Sequence, residues 1–157
     1  MTSAALLTAL RTALTPRVLA AGGLLETPAS LPEARAFLAA APRRWRLILL
    51  WEGYGSHPAA REGMTTHQIS AVIQAPSGLP AAAAAAPKLL AYADLIELVS
   101  AWFRALRFPD GTGADSAGFS LDSSTWLEAA PGTQAHQLSF ALPAALPPFD
   151  VTIPLQF

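Results

Sequence analysis

No cysteine occurs among the 157 residues, so disulfides, thiolate metal centres and cysteine nucleophiles are excluded from the outset. The absence leaves the compartment open, because a chain without thiols suits any redox environment. Charge is scarce as well: ten basic and eleven acidic residues make up 13% of the chain, with no block of one sign. A dedicated nucleic-acid binder carries a basic patch or stripe, so this balance argues against sequence-specific binding of nucleic acid. Long apolar runs are missing too. The longest uncharged stretch, residues 63–87, is interrupted by Gln68, Gln74, Pro76, Gly78 and Pro80 and does not make a membrane span. The opening MTSAALLTALRTALTPR has no charged segment ahead of its apolar residues and carries Arg11 within them, so it reads as a helix rather than a signal peptide.

Against these shortages stands an apolar fraction of 52%. The length suits one domain, residues 1–157, with a core of its own. A surface with so few charges is explained if another chain covers part of it, and equally by a compositional bias towards Ala and Pro.

Leu6, Leu7, Leu10 and Leu14 recur at helical spacing behind Thr2 or Ser3, which predicts a first helix ending near Thr15, ahead of Pro16. Ser30 and Glu33 stand at capping-box spacing before Phe37 and Leu38, predicting a second, short helix closed by Pro42. Together these N-terminal helices fill residues 3–41. In RRWRLILLWEGYG, Trp45, Leu47, Leu49 and Trp51 alternate with Arg44, Arg46, Ile48, Leu50 and Glu52. The middle is apolar on both sides, the mark of a central strand, with Arg44 and Arg46 emerging at its start. TTHQISAVIQA resumes the alternation, with Ile69, Ala71 and Ile73 inward and Gln68, Ser70, Val72 and Gln74 outward. The two strands form a long hairpin over residues 44–75.

Residues 76–87, with six consecutive alanines, read as a linker, and KLLAYADLIELVSAWFRALRF as a long helix over residues 88–107. Its buried stripe is Leu89, Tyr92, Ile96, Val99, Phe103 and Leu106, widened by Leu95, Leu98 and Trp102. PDGTGADSAG stops it. Extended segments FSLDSSTWLEA, HQLSFAL and FDVTIPLQF then fill residues 118–157. The last places Phe149, Val151, Ile153, Leu155 and Phe157 on one face. It is expected to pair with HQLSFAL, and Pro154, which cannot donate a ladder hydrogen bond, assigns it to an edge that a neighbouring subunit could complete. The order of elements predicts an α+β domain: a largely antiparallel sheet with the long helix and the N-terminal helices packed on one face.

Chemistry is hard to find in this pattern. His57, His67 and His136 show no metal-ligand spacing and read as structural or solvated. GFSLDSSTW lacks the strand-turn-helix setting of a serine nucleophile, so Asp122, Ser123 and Ser124 read as a turn or a polar strand face. GTGADSAG follows a helix and has no P-loop lysine. Glu52 and Glu62 flank the hairpin loop as bounding charges, with a catalytic dyad as the lesser reading. Trp45, Trp51 and Trp102 lie on apolar stripes. Trp126 falls opposite Phe119 and Leu121 and reads as an exposed anchor for a partner. No catalytic, cofactor-binding or metal-ligating residue is assigned.

The layout as a whole, with LILLWEGYG, HQISAVIQA, LLAYADLIELVSAWFRAL and the C-terminal strands in that order, resembles the tail terminator proteins of long-tailed bacteriophages, in particular those of Mu-like phages and related prophages. The alanine run 81–86 departs from that layout. The resemblance implies a structural virion protein without enzymatic activity, assembled in the host cytoplasm and located in the tail or neck. It implies a hexameric ring that caps the tail tube, ends its polymerisation and gives the head its attachment surface, with DNA passing through the lumen. Its partners would be further copies of itself, the tail tube protein and the head-tail connector proteins. Candidate contacts are Tyr54 and Arg61 at the hairpin loop, Asp110 and Asp115 in the loop after the long helix, and Trp126, Pro154 and Phe157 on the last strands. Two alternatives stand beside it: a head-to-tail connector or neck protein, and a small enzyme or ligand-binding domain built around Trp51, Glu52 and Tyr54, which would show a pocket with convergent polar groups.

Overall fold

The computed structural model describes residues 2–55, 64–77, 92–109 and 116–145. Helix α1 spans Ser3–Ala20, strand β1 Leu24–Glu26, helix α2 Leu31–Ala39, β2 Arg46–Gly55, β3 Met64–Pro76, helix α3 Tyr92–Ala105, β4 Arg107–Pro109, β5 Ser116–Gly118, β6 Ser120–Leu127 and β7 Thr133–Ala145. Five strands form one sheet in the order β1-β2-β3-β7-β6, and β4 pairs with β5 in a separate two-stranded ribbon. Only β1 runs parallel to its neighbour; β2, β3, β7 and β6 are antiparallel throughout. The domain is α+β, as the order of elements predicts.

Helix α1 begins where Thr2 Oγ1 accepts a hydrogen bond from the Ala5 N–H at 3.2 Å. It does not stop before Pro16 but runs through it to Ala20. Val18 continues the buried row Leu6, Leu10 and Leu14 by one more turn, and that burial outweighs the single hydrogen bond Pro16 cannot donate. Helix α2 carries the capping box expected of it: Ser30 Oγ accepts from the Glu33 N–H at 3.3 Å, while Glu33 Oε2 accepts from the Ala29 N–H at 2.8 Å.

The alternation along β2, β3 and β7 divides the interior into two cores. Leu47, Leu49, Ile69, Ala71, Ile73, Leu138, Phe140 and Leu142 face α1 and α3, joined by Trp45 and by Tyr92, Leu95, Val99 and Phe103 of α3. On the opposite face Ile48, Val72 and Ala135 meet Phe37 and Leu38 of α2, with Leu50 and Leu127 beside them. The helices therefore lie on both faces of the sheet, not on one. The reason is visible in β2 and β3, whose second faces are also apolar at Ile48, Leu50 and Val72 and need a cover of their own. For the same reason Ser70 and Gln74, expected to face outward, are fully buried.

Strand β7 is central. Residues 133–145 pair with β3 on one side and residues 135–141 with β6 on the other. The expected pairing of HQLSFAL with the terminal segment is thereby excluded, because both edges of that strand are taken. Residues 149–157, residues 78–87 of the linker and residues 88–91 of the expected long helix, Leu89 among them, lie outside the described residues.

Candidate functional site

Two β-bulges decide which side chains meet on the sheet. In β2 the register shifts between Trp51 and Gly53, and Gly53 has φ +121°, a conformation that favours glycine. Trp51 and Tyr54, three residues apart, consequently share the α1/α3 face, their rings edge-on with centroids 5.2 Å apart. Trp51 Nε1 donates to His67 Nδ1 at 3.1 Å, and the Tyr54 ring lies 5.0 Å from the His67 ring. Glu52 is left on the other face, where its Oε1 accepts from Ser70 Oγ at 2.5 Å. Ser70 Oγ also accepts from Gln137 Nε2 at 2.7 Å, so a polar row crosses β2, β3 and β7 beyond the area that α2 covers.

In β6 the shift lies between Leu121 and Ser123. A regular strand would put Leu121 and Trp126, five residues apart, on opposite faces. The extra residue brings both to the α3 face, so Trp126 does not lie opposite Leu121 as the unbroken alternation predicts. Both are exposed, Trp126 to 62% and Leu121 to 40%. Trp126 leans against Tyr92 with centroids 5.5 Å apart and against His136 at 4.8 Å. Tyr92 is held in turn by its hydroxyl, which donates to the Ile73 carbonyl at 2.6 Å, and burial raises its pKa.

Between these residues Ser124 Oγ and His136 Nε2 lie 2.5 Å apart. The pair has the spacing of a nucleophile and a base, but His136 Nδ1 has no partner among the described residues, so no third group orients the ring there. Burial lowers the His136 pKa below its ordinary value of 6.5. A depressed histidine favours the neutral ring in the folded state, while the unfolded chain takes up its proton near 6.5. Stability from this residue is therefore complete above that value and is lost as the pH falls below it. We expect the urea midpoint of the wild type to fall between pH 7 and pH 5.5 by more than that of His136→Leu; equal slopes would show that the ring titrates alike in the folded and unfolded states.

Two clefts border these groups. One, of about 490 Å³, lies between α3 and β6 and is lined by Ile96, Glu97, Ser100, Arg104, Leu121 and Ser124. The other, of about 500 Å³, lies beside β2 and is lined by Leu7, Pro28, Leu31, Leu50, Trp51 and Glu52. Glu52 is its one charged group among the described residues, and its carboxylate already accepts from Ser70. No group of three or more His, Asp or Glu among the described residues is placed to hold a metal, and no described helix is long and apolar enough to cross a membrane.

Of the candidate contact residues, Tyr54 and Trp126 are described. They stand on the same face but near opposite ends of the sheet, on β2 and β6 with β3 and β7 between them, so they do not form one site. Arg61, Asp110, Asp115, Pro154 and Phe157 lie outside the described residues, as does Glu62. Leu121, Glu97, Arg104 and the Ser124–His136 pair were not singled out as a group, because a bulge leaves no mark in hydrophobic periodicity. The sequence matches no protein-family model and no curated protein.

Proposed function

We propose that this protein is the subunit of a ring that caps the tail tube of a bacteriophage, ends its polymerisation and presents the surface to which the head attaches. The observation that carries the reading is a pair of unlike apolar patches on one sheet. Tyr54, 44% exposed, sits on β2 beside Trp51 and against the buried His67 of β3, whereas Leu121 and Trp126 sit on β6 at the far edge. A closed ring grows through heterologous contacts, in which one patch of each subunit meets a different patch of the next. Two such patches on separated strands suit that geometry, and the scarcity of charge suits a surface covered in the assembly.

The order of helices, hairpin, long helix and strands supports the same reading through the tail terminator layout the sequence resembles. In this reading the protein acts by shape alone and carries no catalytic group. Its partners are its own copies, the tail tube protein and the connector, and DNA passes through the lumen. A neck protein would share the ring habit but face the head, and labelled subunits in particle images separate the two by position.

The test is electron microscopy of the purified protein added to growing tail tubes of its own phage or prophage. Closed rings of about six copies on tube ends, with tube length limited by the added protein, are the expected result. Tubes that elongate without limit in its presence, with no density on their ends, would exclude the reading.

A further inference from the structure

Strand β6 closes one end of the sheet, and among the described residues only β7 pairs with it. Natural edges are usually blunted by proline, lysine or a covering element. Residues 120–126 contain neither residue type and are exposed throughout, with Asp122 at the bulge as their one charge. What the edge does carry is a symmetric set of groups. Leu121 and Trp126 project on the same face, and Ser124 lies between them.

Helix α3 runs above this edge in a fixed sense. Its first residue, Tyr92, touches Trp126, and Phe103 near its end packs edge-on against Phe119 with centroids 5.3 Å apart. Glu97 therefore lies towards the Trp126 end of the cleft and Arg104 towards the Leu121 end. Both side chains are exposed, and neither has an ion-pair partner among the described residues.

From these placements we propose that β6 pairs antiparallel with β6 of a second copy about a two-fold axis at Ser124. Two five-stranded sheets then become one continuous sheet. The axis sets Trp126 of each copy over Leu121 of the other, a cross-strand apolar contact made twice. It also sets Glu97 of each copy against Arg104 of the other, so the charges are complementary in both halves of an isologous interface. The bulge at Asp122 is what makes the match possible, since without it Leu121 would face the opposite side of the sheet.

The pairing does not depend on the ring reading. An isologous contact gives a closed dimer of the free protein, whereas a ring needs a heterologous one, so assembly on a tube would exchange the β6–β6 contact for the ring contact.

Sedimentation velocity of the full chain over about 10–200 µM tests the proposal. A dimer is expected for the wild type. Glu97→Arg and Arg104→Glu, each of which sets like charges face to face twice, should each weaken the dimer by about tenfold or more, and the double variant should restore it. The cysteine-free sequence supplies a second check. Leu121→Cys mixed with Trp126→Cys should form a disulfide-linked dimer under oxidation, and neither variant should do so alone.

A wild type that stays monomeric over this range, a dimer indifferent to the charge variants, or linkage within either single-cysteine variant would overturn the pairing. Capped tubes together with such a result would leave the ring reading standing. A charge-dependent dimer that never caps a tube would leave the pairing standing and remove the ring.

Discussion

Replacing Phe140 with alanine should destabilise the protein by about 3–5 kcal/mol, the range for a large aromatic removed from a close-packed core. Phe140 is fully buried on β7, the strand flanked on both sides, and its ring stacks on Phe103 of α3 with centroids 4.3 Å apart and planes 4° from parallel. Phe119 closes the cluster edge-on, 5.3 Å from Phe103 and 6.2 Å from Phe140, and Phe108 meets Phe119 at 5.8 Å. Each aromatic pair adds roughly 0.5–1.5 kcal/mol to the area it buries. The substitution thus removes the contact that joins α3, the β5–β6 junction and the middle of the sheet. A domain of ordinary stability, about 5–15 kcal/mol, would lose a large share of it.

Phe140→Leu should cost less, about 1–2 kcal/mol, because most of the volume is kept. Leu19→Ala on the exposed side of α1 should stay within about 0.5 kcal/mol. Urea unfolding of the three variants gives the comparison. A loss below about 1 kcal/mol for Phe140→Ala would mean that α3 is not seated on the sheet as described.

This core was legible in the sequence because period and burial agree. Leu6, Leu10 and Leu14 recur at helical spacing, Leu47 and Leu49 at strand spacing, and all five are buried where their pattern puts them. Val99 and Phe103 on α3 follow the same logic. Pro16 was misleading because a local rule about proline yields to the burial of Val18 one turn later. Strand β1, three residues with no fully buried side chain, carries no pattern of its own and exists only through its register with Arg46, Leu47 and Ile48.

The sides of the sheet were harder to read than its strands. Alternation tells which residues share a face but not what covers it, so α2 on the second face was not foreseen. The two bulges were hidden for a related reason. An inserted residue resets the alternation without changing composition, and only the partner strand reveals where the reset occurs. Trp126 was recognised as exposed, but its company with Leu121 depends on one such reset at Asp122. Tyr54 joins Trp51 through the other, at Gly53.

Arg46 shows how a residue that reads as surface charge becomes part of the frame, and its removal is the second large effect we expect. Helix α2 ends at Ala39 without a glycine, and the Ala40 N–H reaches only the Phe37 carbonyl, at 3.3 Å. Arg46 Nη2 donates to the carbonyls of Phe37 and of Ala40, the latter at 3.1 Å, and its Nε donates to Gln74 Oε1 at 2.6 Å. Gln74 Nε2 completes the cap by donating to the carbonyls of Leu38 and Ala40 at 3.2 and 3.1 Å. The guanidinium also lies over the Phe37 ring, 5.1 Å from its centroid. Burial lowers the Arg46 pKa, and Glu26 on β1 opposes that shift.

Arg46→Met keeps the stem but removes the guanidinium donors, leaving Gln74 Nε2 as the remaining side-chain cap while the buried Gln74 Oε1 loses the donor that holds it. The cost should be about 2–4 kcal/mol, since hydrogen bonds to a charged group are the stronger kind and the Phe37 and Ala40 carbonyls and Gln74 Oε1 each lose one. Arg46→Lys should recover less than half of it, because an ammonium cannot reproduce the fork that reaches the helix end and Gln74 together. Amide exchange would localise the effect: protection should fall across Leu31–Ala39 and remain in β3 and β7. Uniform loss over the whole sheet, or a cost of a few tenths of a kcal/mol, would show that α2 is held by Phe37 and Leu38 alone and that the charged cap contributes little.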